Sequence, residues 1–219
     1  MFRALMLFVL IISLEVLNLG KPLAQQSWQE ARFDELGFAV KIPPGWKIYS
    51  TPKPDKASLI VFKNISADLY DDCNITVVPN DTYANLTQEQ IDSQVQASLM
   101  QYPVPDYSRK ESTRKKLEEE LNQGSAFPAT VRSVDFDKLG GHSSRAYTAI
   151  YDHFGKARDE KRFSYVHTLW TPHQQFTVSC NATSHDINAV MREFGPGIYS
   201  TIAPFIASFV MAPPKVDSH

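Results

Sequence analysis

The sequence offers a base beside two hydroxyl groups at His142-Ser143-Ser144. Acyl transfer by a serine needs an imidazole within hydrogen-bonding reach, a carboxylate that orients it, and backbone donors for the oxyanion. The chain has no Gly-x-Ser-x-Gly elbow, and neighbouring residues on an extended strand project to opposite faces. His142 and Ser143 therefore make a poor dyad unless the Gly140-Gly141 turn reorients them, and we predict no catalytic residue.

The histidines and acidic residues do not have the spacing of a known metal-binding motif. Zinc needs three or four converging ligands, and five of the six histidines are scattered without a His-Glu-x-x-His pattern: His142, His153, His167, His173 and His185. Asp135-Phe136-Asp137 followed by Gly140 has part of a calcium loop, but Ala146 stands where the closing glutamate belongs. We predict no metal and no other cofactor, and we interpret His167 as a structural histidine of a strand.

The two cysteines, Cys73 and Cys180, each lie in a segment of alternating polarity and point toward its apolar face. If the two strands are neighbours, a disulfide closes a loop of about a hundred residues, worth up to roughly 4 to 5 kcal/mol. Two unrelated buried thiols are the alternative. Neither cysteine has the spacing of a redox pair, so the pattern does not indicate a catalytic thiol.

The elements that must position these residues are mostly strands. Alternating and apolar segments predict strands at 38–42, 57–63, 73–78, 130–136, 144–153, 163–170 and 175–181, the last four forming an antiparallel meander. Thr87-Gln88-Glu89-Gln90 is a capping box that opens a helix with Ile91, Val95 and Leu99 on its core face. A final helical region is predicted from Ser184 to Phe209, broken at Gly195-Pro196-Gly197.

A charged stretch, 109–124, has only Leu117 and Leu121 as strong apolar anchors. It is interpreted as a solvated helix or linker, with a partner-docking helix as the alternative.

The N-terminus has the three parts of a secretory signal peptide: Arg3, an apolar run at 4–14, and a polar stretch ending at Ala24. The run is shorter than the roughly twenty residues that span a bilayer as a helix, so we expect no membrane insertion after cleavage. The predicted organisation is a signal peptide at 1–24, one domain at 25–212 and a C-terminal tail at 213–219. We predict a periplasmic or secreted protein, with the scissile bond left open.

Net charge argues against one class of partner. Removing residues 1–24 takes away Arg3, Lys21 and Glu15, which leaves 20 basic and 23 acidic side chains and a net charge of −3. The basic residues are interleaved with acidic ones, whereas phosphate backbones attract a basic face. We therefore expect no nucleic-acid partner.

Five Asn-x-Ser/Thr triplets begin at Asn64, Asn74, Asn80, Asn85 and Asn181. They are glycan acceptors in a eukaryotic secretory pathway and polar strand or turn residues in a bacterium. The triplets alone do not choose between these hosts.

The order of elements resembles the PsbP-like superfamily, on three segments: Gly37-Phe38-Ala39-Val40-Lys41-Ile42-Pro43-Pro44-Gly45-Trp46, Leu139-Gly140-Gly141-His142 before the strand 145–151, and Ile206-Ala207-Ser208-Phe209. Its members include extrinsic photosystem II subunits, Ran-binding import factors and exported bacterial proteins. The resemblance implies an α/β (α+β) single-domain sandwich with a central antiparallel sheet flanked by helices. It also implies a partner-binding or accessory role rather than an enzyme.

Aromatic residues of the late strands suggest where a ligand would bind: Tyr147, Tyr151, Phe163, Tyr165, Trp170 and Phe176. One aromatic face could hold an apolar ligand or a partner, although packing beneath helices explains most of these residues. Two hypotheses follow. The first is an exported, non-catalytic binding or accessory factor acting on an envelope protein. The second is a small-ligand binder or hydrolase that uses an aromatic cleft and the His142 region.

Overall fold

The computed structural model describes residues 27–51, 57–64, 69–100, 107–154, 159–186, 188 and 196–212. The predicted signal peptide at 1–24 and the tail at 213–219 lie outside these residues. Within the described part, no helix is long and apolar enough to cross a membrane.

Ten strands and three helices follow one another along the described chain. The strands are β1 (Gln29–Phe33), β2 (Phe38–Ile42), β3 (Lys47–Ser50), β4 (Ser58–Asn64), β5 (Leu69–Pro79), β6 (Ala129–Leu139), β7 (His142–Phe154), β8 (Glu160–Trp170), β9 (Gln174–Ser184) and β10 (Val210–Met211). The helices are α1 (Gln88–Met100), α2 (Tyr107–Asn122) and α3 (Pro196–Ala207), and a short 3-10 turn spans Asp34–Leu36.

The strands form two antiparallel sheets, so the predicted α+β class is confirmed. One sheet has three strands in the order β1-β2-β10, and the other has seven in the order β3-β4-β5-β9-β8-β7-β6. The predicted meander from β6 to β9 is present with each strand paired to the next.

Two hydrophobic cores lie on opposite faces of the seven-stranded sheet. The larger core joins that sheet to β2 and α3, and its largest buried side chains include Phe38, Phe176, Phe205 and Phe209. The smaller core lies where α2 packs on β6, and it contains Leu117, Val131, Val134, Tyr147, Ala149 and Val166. Strand alternation explains the division, since successive residues point to opposite faces.

The capping box at the start of α1 is confirmed. Thr87 N–H donates to Gln90 Oε1 at 2.9 Å, and Gln90 N–H donates to Thr87 Oγ1 at 3.3 Å. Ile91 and Val95 are buried as predicted, while the side chain of Leu99 lies outside the described residues.

The prediction for the C-terminal region was wrong at its beginning. Ser184 is the last residue of β9, Asn188 is helical, and α3 begins at Pro196. Thr183 is fully buried at this end of β9, where it faces Arg162 of the neighbouring strand β8. A long-range strand pair therefore overrides the local signal.

The Cys73–Cys180 disulfide is confirmed. The two cysteines face each other directly across β5 and β9, with Cα atoms 4.1 Å apart. Both are completely buried in the larger core. The bridge links neighbouring strands that are 107 residues apart in sequence.

Helix α2 covers the beginning of the outer edge of β6. Asn122 Oδ1 accepts from Ala129 N–H at 2.6 Å, and Asn122 Nδ2 donates to Ala129 O at 3.0 Å. Glu118 Oε2 accepts from Val131 N–H, and Arg114 Nη1 donates to Val131 O, both at 2.7 Å. Three helical residues spaced four apart thus satisfy the backbone groups that a neighbouring strand would bind. The charged stretch is therefore a helix that packs against its own domain.

We expect Asn122→Ala to lower the free energy of unfolding by about 1 to 2 kcal/mol, because it removes both hydrogen bonds to Ala129. Gln123→Ala is the matched control, since Gln123 is exposed directly after the same helix. Urea denaturation followed by circular dichroism measures the difference. Equal midpoints for the two variants would show that the edge contacts do not stabilise the domain.

A buried polar network lies on the face of the sheet opposite the larger core. Arg162 Nη2 donates to Asp72 Oδ1 at 3.0 Å, and Arg162 Nε donates to Thr183 Oγ1 at 3.0 Å. Asn181 Nδ2 donates to Asp72 Oδ2 at 2.7 Å, while Asn181 Oδ1 accepts from Ser164 at 2.6 Å. Asn181 is buried with its amide nitrogen engaged, so in the folded protein this triplet presents no free glycan acceptor.

Candidate functional site: a groove beside His142

An open groove of about 800 Å³ lies at one end of the sandwich. The 3-10 turn and Gly37 form one wall, and the start of α1, the β6–β7 turn and the β8–β9 turn form the other. Phe176, Val210, Met211 and Ala212 supply its apolar lining. The groove therefore lies where the two sheets meet.

Glycines shape the turn that carries His142. Gly140 and Gly141 both have positive φ, 59° and 88°, between the paired residues Leu139 and His142. A two-residue hairpin loop with positive φ at both positions matches the twist of the flanking strands. A Cβ atom on Gly140 would come within 3.3 Å of the Phe209 ring. This turn places His142 at the mouth of the groove.

His142 is held from behind by Asp92 of α1. Its Nδ1 lies 3.0 Å from Asp92 Oδ2, and Gln88 Nε2 donates to Asp92 Oδ1 at 2.9 Å. Gln88 also donates to Trp170 O at 3.0 Å, which anchors the helix to β8. An ionised carboxylate only accepts hydrogen bonds, so the neutral imidazole would carry its proton on Nδ1 and have Nε2 as an acceptor.

A second histidine lines the same groove in the same manner. His173 Nδ1 lies 3.2 Å from Asp81 Oδ1, and both side chains are largely exposed. The backbone supports this pair, since Asn80 N–H donates to His173 O at 2.9 Å. An exposed pair contributes little to stability, but its Nδ1 atom faces a carboxylate, as that of His142 does.

The opposite wall is acidic. Asp34 and Glu35 line the groove from the 3-10 turn, and Arg32 pairs with Asp34 at the rim. No lysine or arginine is among the described residues that line the groove. Its only hydroxyl among those residues is that of Thr171, which is engaged with Gln174 on the same turn.

His142 does not form a dyad with either neighbouring serine. Ser143 is buried on the other face of β7, as strand alternation predicts. Ser144 Oγ lies 3.2 Å from His167 Nδ1, and His167 Nε2 lies 3.9 Å from Asp137 Oδ2. Ser144 and His167 are 0% and 1% exposed, so a substrate has no access to this serine–histidine pair. The interpretation of His167 as a structural histidine agrees with this position.

Burial lowers the pKa of His167, and this effect exceeds the opposite effect of Asp137. The unfolded chain therefore binds a proton more readily than the folded one, and the free energy of unfolding falls as the pH drops below the ordinary histidine value of 6.5. We expect His167→Gln to flatten this pH dependence between pH 7 and pH 5. Urea titrations across this range measure it, with His173→Gln as the exposed control. An unchanged slope in His167→Gln would contradict the assignment.

The aromatic residues of the late strands do not form one face. Tyr147 lies with Val166 in the smaller core, whereas Phe176 lies in the larger core on the opposite side of the sheet. The register of the strands therefore separates these residues, and their places in the two cores agree with the favoured interpretation that most of them pack in the interior. Among the six, Phe176 lines the groove.

The described residues contain no cluster of three or more histidine, cysteine or acidic side chains that could hold a metal ion. Asp135 and Asp137 instead accept from the following backbone N–H groups, those of Phe136 and Lys138, at 3.1 and 2.7 Å.

The sequence analysis did not identify Asp92 and Gln88 as residues of the site. Their spacing of four on a helix was visible, but their proximity to His142 was not.

No protein-family model and no curated protein matches this chain. Among solved structures it is similar to cyanobacterial PsbP from Synechocystis sp. PCC 6803, with 11% identity, a TM-score of 0.47, and coverage of 87% of this chain and 95% of that chain. It is also similar to LpqN, involved in cell envelope biogenesis of Mycobacterium tuberculosis, with 10% identity, a TM-score of 0.42, and coverage of 87% and 88%.

A third similar structure is the Ran-binding protein Mog1p of Saccharomyces cerevisiae, with 7% identity, a TM-score of 0.46, and coverage of 85% of this chain and 96% of that chain. PsbP, predicted from the sequence as a resemblance, thus occurs among the similar structures. At these identities the similarity concerns the fold alone.

Proposed function

We propose that this protein is an exported, non-catalytic binding or accessory factor that holds a segment of an envelope protein in the groove beside His142. The observation that carries the proposal is the groove itself, which combines an apolar lining with oriented polar groups on both walls. Binding sites characteristically have such a lining with a few placed polar groups.

The chemistry of the groove favours binding over hydrolysis. The His142–Asp92 pair resembles the base of a triad, but a nucleophile must lie within hydrogen-bonding reach of the base. Among the described lining residues, the only hydroxyl belongs to Thr171 and is engaged with Gln174. Ser144 is paired with the buried His167 instead.

Crosslinking tests the proposal. We would place a photoreactive phenylalanine analogue at Val210, which lines the groove and is half exposed, and at Val78 as a matched exposed valine outside the groove. In envelope extract, a defined protein should be crosslinked from position 210 and not from position 78. Val210→Trp, which fills the groove, should prevent its capture by the unmodified protein. Equal crosslinking from both positions, or none from 210, would refute the groove as the binding site.

Export is a separate part of the proposal and rests on the signal-like N-terminus and the disulfide, which persists in oxidising compartments. We expect protein recovered from the host to begin near Gln25 and to lie in the soluble envelope or secreted fraction. Intact-mass measurement of each fraction tests this. Full-length protein in the cytoplasm that still carries Met1 would refute export.

A further inference from the structure

The polar groups on the walls of the groove are predominantly hydrogen-bond acceptors. Asp34 and Glu35 contribute carboxylates from one wall. On the other wall, His142 and His173 each direct Nδ1 toward an aspartate, at 3.0 and 3.2 Å. An imidazole whose Nδ1–H donates to a carboxylate has a bare lone pair on Nε2 when it is in its neutral form.

The charges around the groove also favour a cationic occupant. No lysine or arginine is among the described residues that line the groove, and Asp92 and Asp81 lie directly behind the two imidazoles. Arg32 compensates Asp34 in part, from the exposed rim. An anionic occupant would meet like charges, whereas a cationic one gains from every wall.

The apolar lining of the groove favours a cation that carries an apolar stem. Phe176 is fully buried beneath the groove, while Val210 remains half exposed and Met211 is partly buried. Arginine and lysine carry a charged, donor-only head on an apolar stem. Such a side chain can place its stem along the lining and its head between the walls.

We propose that the groove binds an arginine or lysine side chain within an apolar segment of the partner protein. This inference rests on the proposed function, because it names the chemistry of the segment that occupies the same groove. Glu35 is the wall residue with which the cation pairs, since Asp34 already pairs with Arg32.

Three fluorescent peptides test the inference: a capped Gly-Leu-X-Leu-Gly with X as arginine, glutamine or glutamate. Fluorescence anisotropy should show that the arginine peptide binds about tenfold more tightly than the glutamate peptide. Glu35→Lys should remove most of this preference. Glu120→Lys is the control, because Glu120 is exposed on α2, outside the groove lining. Val210→Trp should weaken binding of every peptide that uses the groove.

The outcomes separate the two proposals. If the glutamine or glutamate peptide binds as tightly as the arginine peptide and Val210→Trp weakens it, the cation inference is refuted and the groove remains a binding site. If Glu120→Lys weakens the arginine peptide as much as Glu35→Lys does, the effect belongs to net charge and the inference is also refuted. If no peptide binds, the inference fails, and crosslinking from position 210 decides the proposed function independently.

Discussion

Removing the disulfide by Cys73→Ala/Cys180→Ala should lower the free energy of unfolding by about 4 to 5 kcal/mol. The bridge joins residues 107 apart in sequence, so it restricts a long loop of the unfolded chain. Chemical reduction of the unmodified protein should give a similar loss. Guanidinium denaturation with and without reductant measures both effects.

The domain should still fold without the bridge, because the two hydrophobic cores do not depend on it for their other members. Cys73→Ser/Cys180→Ser should be less stable than the alanine pair, since each hydroxyl would be buried in an apolar core. A loss below about 1 kcal/mol for the alanine pair would contradict the loop-closure argument. Complete unfolding would contradict the claim that the cores suffice.

The second large effect is expected for Arg162→Ala, which should cost about 3 kcal/mol or more. The variant leaves the carboxylate of Asp72 buried without its cation and removes the guanidinium from the Phe154 ring, 3.8 Å away. Burial already raises the pKa of Asp72, against the opposing effect of Arg162 and the Asn181 hydrogen bond. Without Arg162 that pKa should rise further.

The raised pKa of Asp72 determines how the stability of Arg162→Ala depends on pH. A carboxyl whose folded pKa is raised binds a proton more readily in the folded state, so its contribution to stability decreases as the pH rises above 3.8. The deficit relative to the unmodified protein should therefore be larger at pH 7 than at pH 4. Denaturant titrations at both values test this.

Two controls isolate the ion pair. Arg162→Lys keeps the charge but loses the paired donors to Asp72 and Thr183, so its cost should be smaller than that of alanine. Arg162→Met/Asp72→Asn removes both charges and should cost less than the sum of the two single changes. Additive losses would show that the two residues do not act as a pair.

The sequence alone determined much of the fold. Alternation of polarity along the chain is a local property, and it located the strands of the meander and the apolar side of both cysteine segments. The capping box at Thr87 was equally local, because its hydrogen bonds join residues three apart. Both features depend only on residues that are close together in the sequence, so the sequence pattern is enough to predict them.

Which residues come together at the groove is determined only by the tertiary structure. The contact between Asp92 and His142 joins residues 50 apart, and the one between Ser144 and His167 joins residues 23 apart. Both depend on strand register and on where α1 packs, and a shift of one residue would turn each strand side chain to the other face. The same dependence separated the aromatic residues into two cores. Periodicity shows which side chains share a face of one strand, whereas their partners on other elements are set by how those elements pack together.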